Sequence, residues 1–119
     1  MNSKNIKKEI YNDYESLLTY SLEYKTIENI GEKMTLINDM LSMTNVLHSK
    51  VVNLYNNINT KLYFPNENPK SFSDDINKLL NFSYSFFMKN YFSDETIECI
   101  NTTKKLMTIE LDKLKNIMY

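Results

Sequence analysis

The sequence predicts an all-α fold: one domain, a bundle of four or five helices with one long second helix that is either continuous or bent. Three observations predict it. Apolar residues recur at spacings of three and four along several separate stretches, which is helical periodicity. Both prolines, Pro65 and Pro69, fall in one segment, and no Gly/Ser-rich linker or fixed-period repeat divides the chain. At 119 residues the chain is long enough for a single core without disulfides or metals.

The first helix is predicted from about Lys4 to Tyr24, with Ser3 as its cap. Ile6, Ile10, Tyr14, Leu17 and Ser21 make one stripe, with Leu18 and Leu22 beside them. Lys8, Asn12, Glu15 and Thr19 take the opposite face. Thr26 is the expected cap of the second helix, with Glu28 in its favourable first turn. From there Ile27, Ile30, Met34, Ile37, Leu41, Thr44, His48, Val51, Tyr55, Ile58 and Leu62 alternate by three and four. An unbroken run is a helix of roughly 35 residues, about 50 Å long at ~1.5 Å per residue, and suits a coiled-coil dimer. The polar Thr44 and His48 interrupt that seam, and Met40, Met43, Leu47 and Leu54 form a parallel stripe. A bend or break near Ser42–Asn45 instead suits a monomeric bundle.

Proline removes a helix donor and biases the residue before it out of the α region, so the loop is placed over residues 63–72. It separates a helical half over residues 3–62 from a helical hairpin over residues 73–119. Ser73 opens the hairpin, with Asp74 and Asp75 placed to favour the helix dipole. The stretch Leu79–Phe92 holds the densest aromatic content of the chain, with Phe82, Tyr84, Phe86, Phe87, Tyr91 and Phe92. Residues Phe82–Phe86 also alternate with period two, a strand signal. A lone strand in a helical chain has no partner, so helix is preferred. A helix apolar nearly all round is a buried one, and the first half of the chain is expected to wrap over it. Ser93, followed by Asp94 and Glu95, opens the last helix, and Phe92 is placed to staple on Ile97. Its stripe runs through Ile100, Met107, Leu111, Leu114 and Met118, widened by Leu106 and Ile109. So short a connection predicts antiparallel neighbours.

The chemistry-bearing residues are few. His48 and Cys99 are the only ones of their kinds, too few for a structural zinc site, and they fall on different predicted helices. Cys99 is read as a core or boundary residue and His48 as a seam or surface residue. Carboxylates occur singly or in helix first turns, and no repeated Glu-x-x-His appears. One glycine, Gly31, leaves no phosphate-cradling loop of the usual form. No enzyme activity and no cofactor are expected. A net charge of −1 gives no global field toward nucleic acid or an anionic membrane. Arginine, the commonest base-reading side chain, is absent, and no window is apolar enough for a membrane span.

Asparagine makes up about one residue in seven, and Ala, Arg, Gln and Trp are missing. Lys, Asn, Ile and Tyr have AT-rich codons, which points to an AT-rich genome: a low-GC bacterium or its mobile elements, a large DNA virus, or an AT-rich protist. The N-terminus turns polar and acidic where a secretion signal needs an apolar run, so a cytoplasmic protein is expected, in the host cell's cytoplasm if it is viral. Nine Tyr, six Phe and seven Met exceed what so small a bundle readily buries, and such residues favour adaptable interfaces. The expected function is therefore binding or inhibition of a protein partner, without nucleic acid. The candidate partner-binding residues are Tyr11, Tyr20, Tyr55, Tyr63 and Phe64. The alternative is a coiled-coil assembly subunit, a homodimer joined through Ile27–Leu62.

The pattern INKLLNFSYSFFMKNYFSDETIECI, Ile76 to Ile100, is similar to the third and fourth helices of class IIa bacteriocin immunity proteins. The likeness covers about a fifth of the chain and rests on apolar spacing plus an acidic-capped turn. It implies a small cytosolic bundle that protects a producer cell from its own peptide. The long second helical stretch departs from that pattern, as does the charge, since the family's members are often more basic.

Overall fold

Every described residue outside the connection from Lys25 to Asn29 is helical in the computed structural model, which describes residues 3–54, 72–88 and 94–118. The helices are α1 (Ser3–Tyr24), α2 (Ile30–Leu54), α3 (Phe72–Met88) and α4 (Asp94–Met118). The predicted all-α class holds, and Phe82–Phe86 is helix. The start of α4 falls at the predicted boundary, whereas α3 takes in Phe72, which the expected loop had included. Residues 55–71, which hold the rest of that loop and the expected extension of α2 to Leu62, lie outside the described residues, as do Phe92 and Ser93.

The turn between α1 and α2 corrects the predicted cap. The chain leaves α1 through tightened bonds, with the amides of Lys25, Thr26 and Ile27 donating to the carbonyls of Leu22, Glu23 and Tyr24. The Thr26 hydroxyl donates to the Glu23 carbonyl at 2.8 Å, so it closes α1 instead of opening α2. Asn29 is the cap: its Oδ1 accepts from the Glu32 amide at 3.0 Å, and its carbonyl accepts from Lys33. The only glycine leaves room for that contact, since a Cβ on Gly31 would sit 3.2 Å from Asn29 Oδ1.

The four helices stand at the corners of a square. Each packs on two neighbours, in the pairs α1/α2, α1/α3, α2/α4 and α3/α4, while the backbones of the diagonals α1/α4 and α2/α3 do not approach closely. Side-chain contacts set the directions. Lys50, late in α2, reaches Asp13 at 2.9 Å and Glu9 at 3.8 Å, early in α1. Tyr24 at the end of α1 packs on Phe72 at the start of α3, and Tyr11 packs on Tyr84 near its end. Thr44 meets Met107, and Gly31 lies beside Met118. All three pairs are therefore antiparallel. Leu54 and Phe72 consequently stand at opposite ends of the bundle and on opposite corners.

The core-facing seam of α2 differs from the expected one. Ile37, Met40, Thr44, Leu47 and Val51 are buried, while Leu41 and His48 are only half-buried. The helix thus turns the Met40–Leu47 stripe inward, because it packs between α1 and α4 and not on one partner. It runs unbroken through Ser42–Asn45. Thr44 needs no break: its hydroxyl donates to the Met40 carbonyl at 2.7 Å and contacts Met107 Sδ at 3.7 Å.

The aromatic helix is not central, contrary to expectation. α3 occupies one corner, its backbone close to those of α1 and α4 and not to that of α2. Ile76, Leu79, Leu80, Ser83 and Phe87 face inward, while Phe82 and Phe86, paired at 4.4 Å, and Tyr84 remain half-buried. The largest wholly buried side chain is instead Tyr14 of α1, packed on Tyr84 and Phe87 at 5.8 and 6.2 Å. Ser83 and Cys99 stand opposite it, and their small side chains leave space for its ring.

Candidate interaction surface

On α1 the periodicity that buries Ile10, Tyr14, Leu17 and Ser21 necessarily places Tyr11, Glu15, Leu18 and Leu22 together on a neighbouring face. Tyr11 and Leu22 are 38% and 52% exposed, and Glu15 between them is exposed. The eleven-residue interval spans about 16 Å along the helix. Leu18 is half-buried and supports the strip from beneath, where it packs on the core.

α3 flanks this strip. Tyr84 lies 5.6 Å from Tyr11, ring to ring, at 53°. Its phenol is pushed up to about 12, first by contact with the Tyr11 hydroxyl and then by burial and the nearby Glu15 carboxylate. Asn77 and Asn81 continue the row one and two turns earlier, joined by a 3.3 Å hydrogen bond from Asn81 Nδ2 to Asn77 Oδ1. Beyond Leu22 the seam is closed by a 2.7 Å ion pair between Lys25 and Asp74. Beside it Tyr24 packs edge-on to Phe72 at 4.8 Å, with the Lys33 ammonium 5.2 Å from its ring. The Tyr24 phenol is pushed up to about 12 by burial and by Glu110. The result is a three-turn face with an apolar anchor at each end, a carboxylate between them, and amide and phenol groups along one edge.

Of the predicted partner-binding residues, Tyr11 lies on this face. Tyr20 lies half a turn round α1 from Tyr11 and is half-buried against the core, so the two do not share a surface. Tyr55, Tyr63 and Phe64 lie outside the described residues. Leu22 belongs to the face and was expected beside the buried stripe. Its position falls in step with Tyr11, Glu15 and Leu18, and that phase was the available signal. The buried stripe ends on Tyr24 instead.

The reactive side chains point elsewhere. Cys99 is buried toward Tyr14 and Ser83, and burial pushes its thiol up to about 12 despite the Ser83 hydroxyl beside it. His48 faces Lys104 and Glu98 across the α2/α4 seam, so the two are not paired. An open cleft of about 450 Å³ on α4 is lined by Asn101, Lys104, Lys105, Thr108 and Ile109. Among the described residues no three potential ligands converge on a metal position, and no helix is long and apolar enough to cross a membrane. No protein-family model matches the chain, and no curated protein or solved structure matches it.

Proposed function

We propose that this bundle is a non-enzymatic interaction protein that binds a protein partner, and restrains it, through the outer face of α1 beside α3. One observation carries the reading: Tyr11 and Leu22, both large and substantially exposed, lie on one face about 16 Å apart, too far separated to bury each other. Tyrosine at such a site supplies contact area at low entropic cost and keeps a polar tip for the rim. Of the α2 seam that a coiled-coil homodimer would use, Ile37, Thr44 and Val51 are buried within the bundle, which favours the outer face of α1 as the binding surface. The AT-rich codon bias of the composition supports an origin in a low-GC bacterium or its mobile elements, a large DNA virus or an AT-rich protist, where a small binding protein would act beside its target.

Affinity capture from the native source tests the reading with the wild type and the double variant Tyr11→Ser, Leu22→Asp. A protein retained by the wild type and lost from the variant, with unchanged helicity, supports it. Equal retention by both, or turnover of a small molecule by the isolated chain, overturns it. Expression in a peptide-sensitive cell separates the immunity-type form of the same reading, which requires a shift in sensitivity.

A further inference from the structure

The two hairpins α1–α2 and α3–α4 meet along two seams, α1/α3 and α2/α4. The first is aromatic and holds a 2.7 Å ion pair. The second carries the chain's single histidine. His48 is half-buried there, and its Nε2 is sealed from solvent with no hydrogen-bond partner among the described residues. The charged groups that act on it come from α4: the Lys104 ammonium, which opposes a charge on the ring, and the Glu98 carboxylate, which favours one. From α1, the other helix packed on α2, the facing carboxylates Glu9 and Asp13 are engaged by Lys50.

A neutral imidazole fits this position at the cost of one buried unpaired acceptor, a cost far smaller than that of a buried charge. A protonated one does not. It would place an N–H donor with no acceptor in a sealed position and add a second positive charge next to Lys104. We infer that His48 is an acid-sensitive latch, whose protonation loosens the α2/α4 seam and lets the hairpins part more readily. Burial first and Lys104 second hold the imidazole below its ordinary value, with Glu98 opposing. The sign follows directly. The unfolded chain takes up the proton at a higher pH than the folded one, so the contribution is complete above the unfolded value of 6.5 and is lost as pH falls through the folded value.

Because the histidine is unique, its ring protons can be titrated by proton NMR without assignment. A midpoint below 6.5 is expected, and one at or above 6.5 overturns the inference. The urea midpoint of the wild type should fall between about pH 7.5 and about pH 5.5. In His48→Gln that fall should be less than about half as large, and Lys104→Met should reduce it. Equal falls in all three proteins overturn the latch. Should His48→Gln fail to fold, the wild-type titration and Lys104→Met still decide the matter.

Discussion

Replacing Tyr14 by Phe should make this protein more stable. The ring is wholly buried at the α1/α3/α4 junction, and its hydroxyl has no hydrogen-bond partner among the described residues. Ser83 Oγ, opposite, is buried and unpartnered as well. Burial pushes the phenol far above its ordinary range, and the nearby Ser83 hydroxyl offsets only part of that, without reaching hydrogen-bond geometry. A buried polar group left unsatisfied costs about 1–3 kcal/mol. Removing the oxygen relieves that cost and leaves a void smaller than a methyl group, which returns a few tenths of a kcal/mol. The net expectation is a gain of about 1 kcal/mol, or a rise of about 4 °C in Tm for a domain of this size. Urea and thermal unfolding followed by circular dichroism measure it, with an unchanged urea slope as the control. Tyr14→Ala, which also deletes the contacts with Tyr84 and Phe87, should cost about 3–5 kcal/mol. A loss of about 1 kcal/mol or more in Tyr14→Phe refutes the reasoning, because it would mean that the hydroxyl is bonded in solution. Ser83→Ala would then show the same loss, with positive coupling in the double variant.

Three further outcomes are expected. Leu47→Ala should cost about 3 kcal/mol, against less than about 2 for the half-buried Leu41→Ala, and equal losses by urea unfolding would contradict the assigned α2 seam. Asp13→Asn should cost no more than about 1 kcal/mol, and less at high salt, because Lys50 and its partners are partly exposed and Glu9 remains as a second acceptor. Above about pH 9 the protein should lose stability. Cys99 and Tyr24 are raised to about 12 in the folded chain, so the unfolded chain releases those protons first. A stability profile flat to about pH 11, or rapid alkylation of Cys99 in the native protein at about pH 8.5, would contradict that.

The legible part of this fold was its local part. The stripe Ile10–Tyr14–Leu17–Ser21, the acidic start of α4 and the long second helix all follow from spacing of three and four with a nearby cap. What failed was the choice between equivalent local signals. Thr26 and Asn29 are both cap residues, and only Asn29 has a glutamate three residues on, Glu32, whose amide it accepts. α2 carried two apolar stripes, and the choice between them depends on which helices flank it, which no local pattern states. The same holds for α3: six aromatics in fourteen residues read as a centre, yet topology puts the helix in a corner and leaves its flank half-buried. The candidate surface was half legible. Tyr11 follows from its chemistry, whereas Leu22, readable from its phase with Tyr11, Glu15 and Leu18, is hidden by its place beside the buried stripe.

A photo-crosslinking amino acid placed in turn at positions 11, 22 and 46 tests the interaction surface most directly. Val46 is as exposed as Leu22, at 51%, but lies on the outer face of α2. Irradiation in the native source should join one protein to positions 11 and 22 and leave position 46 unjoined. Adducts at position 46 alone, or equal adducts at all three, would contradict a partner held on the outer face of α1.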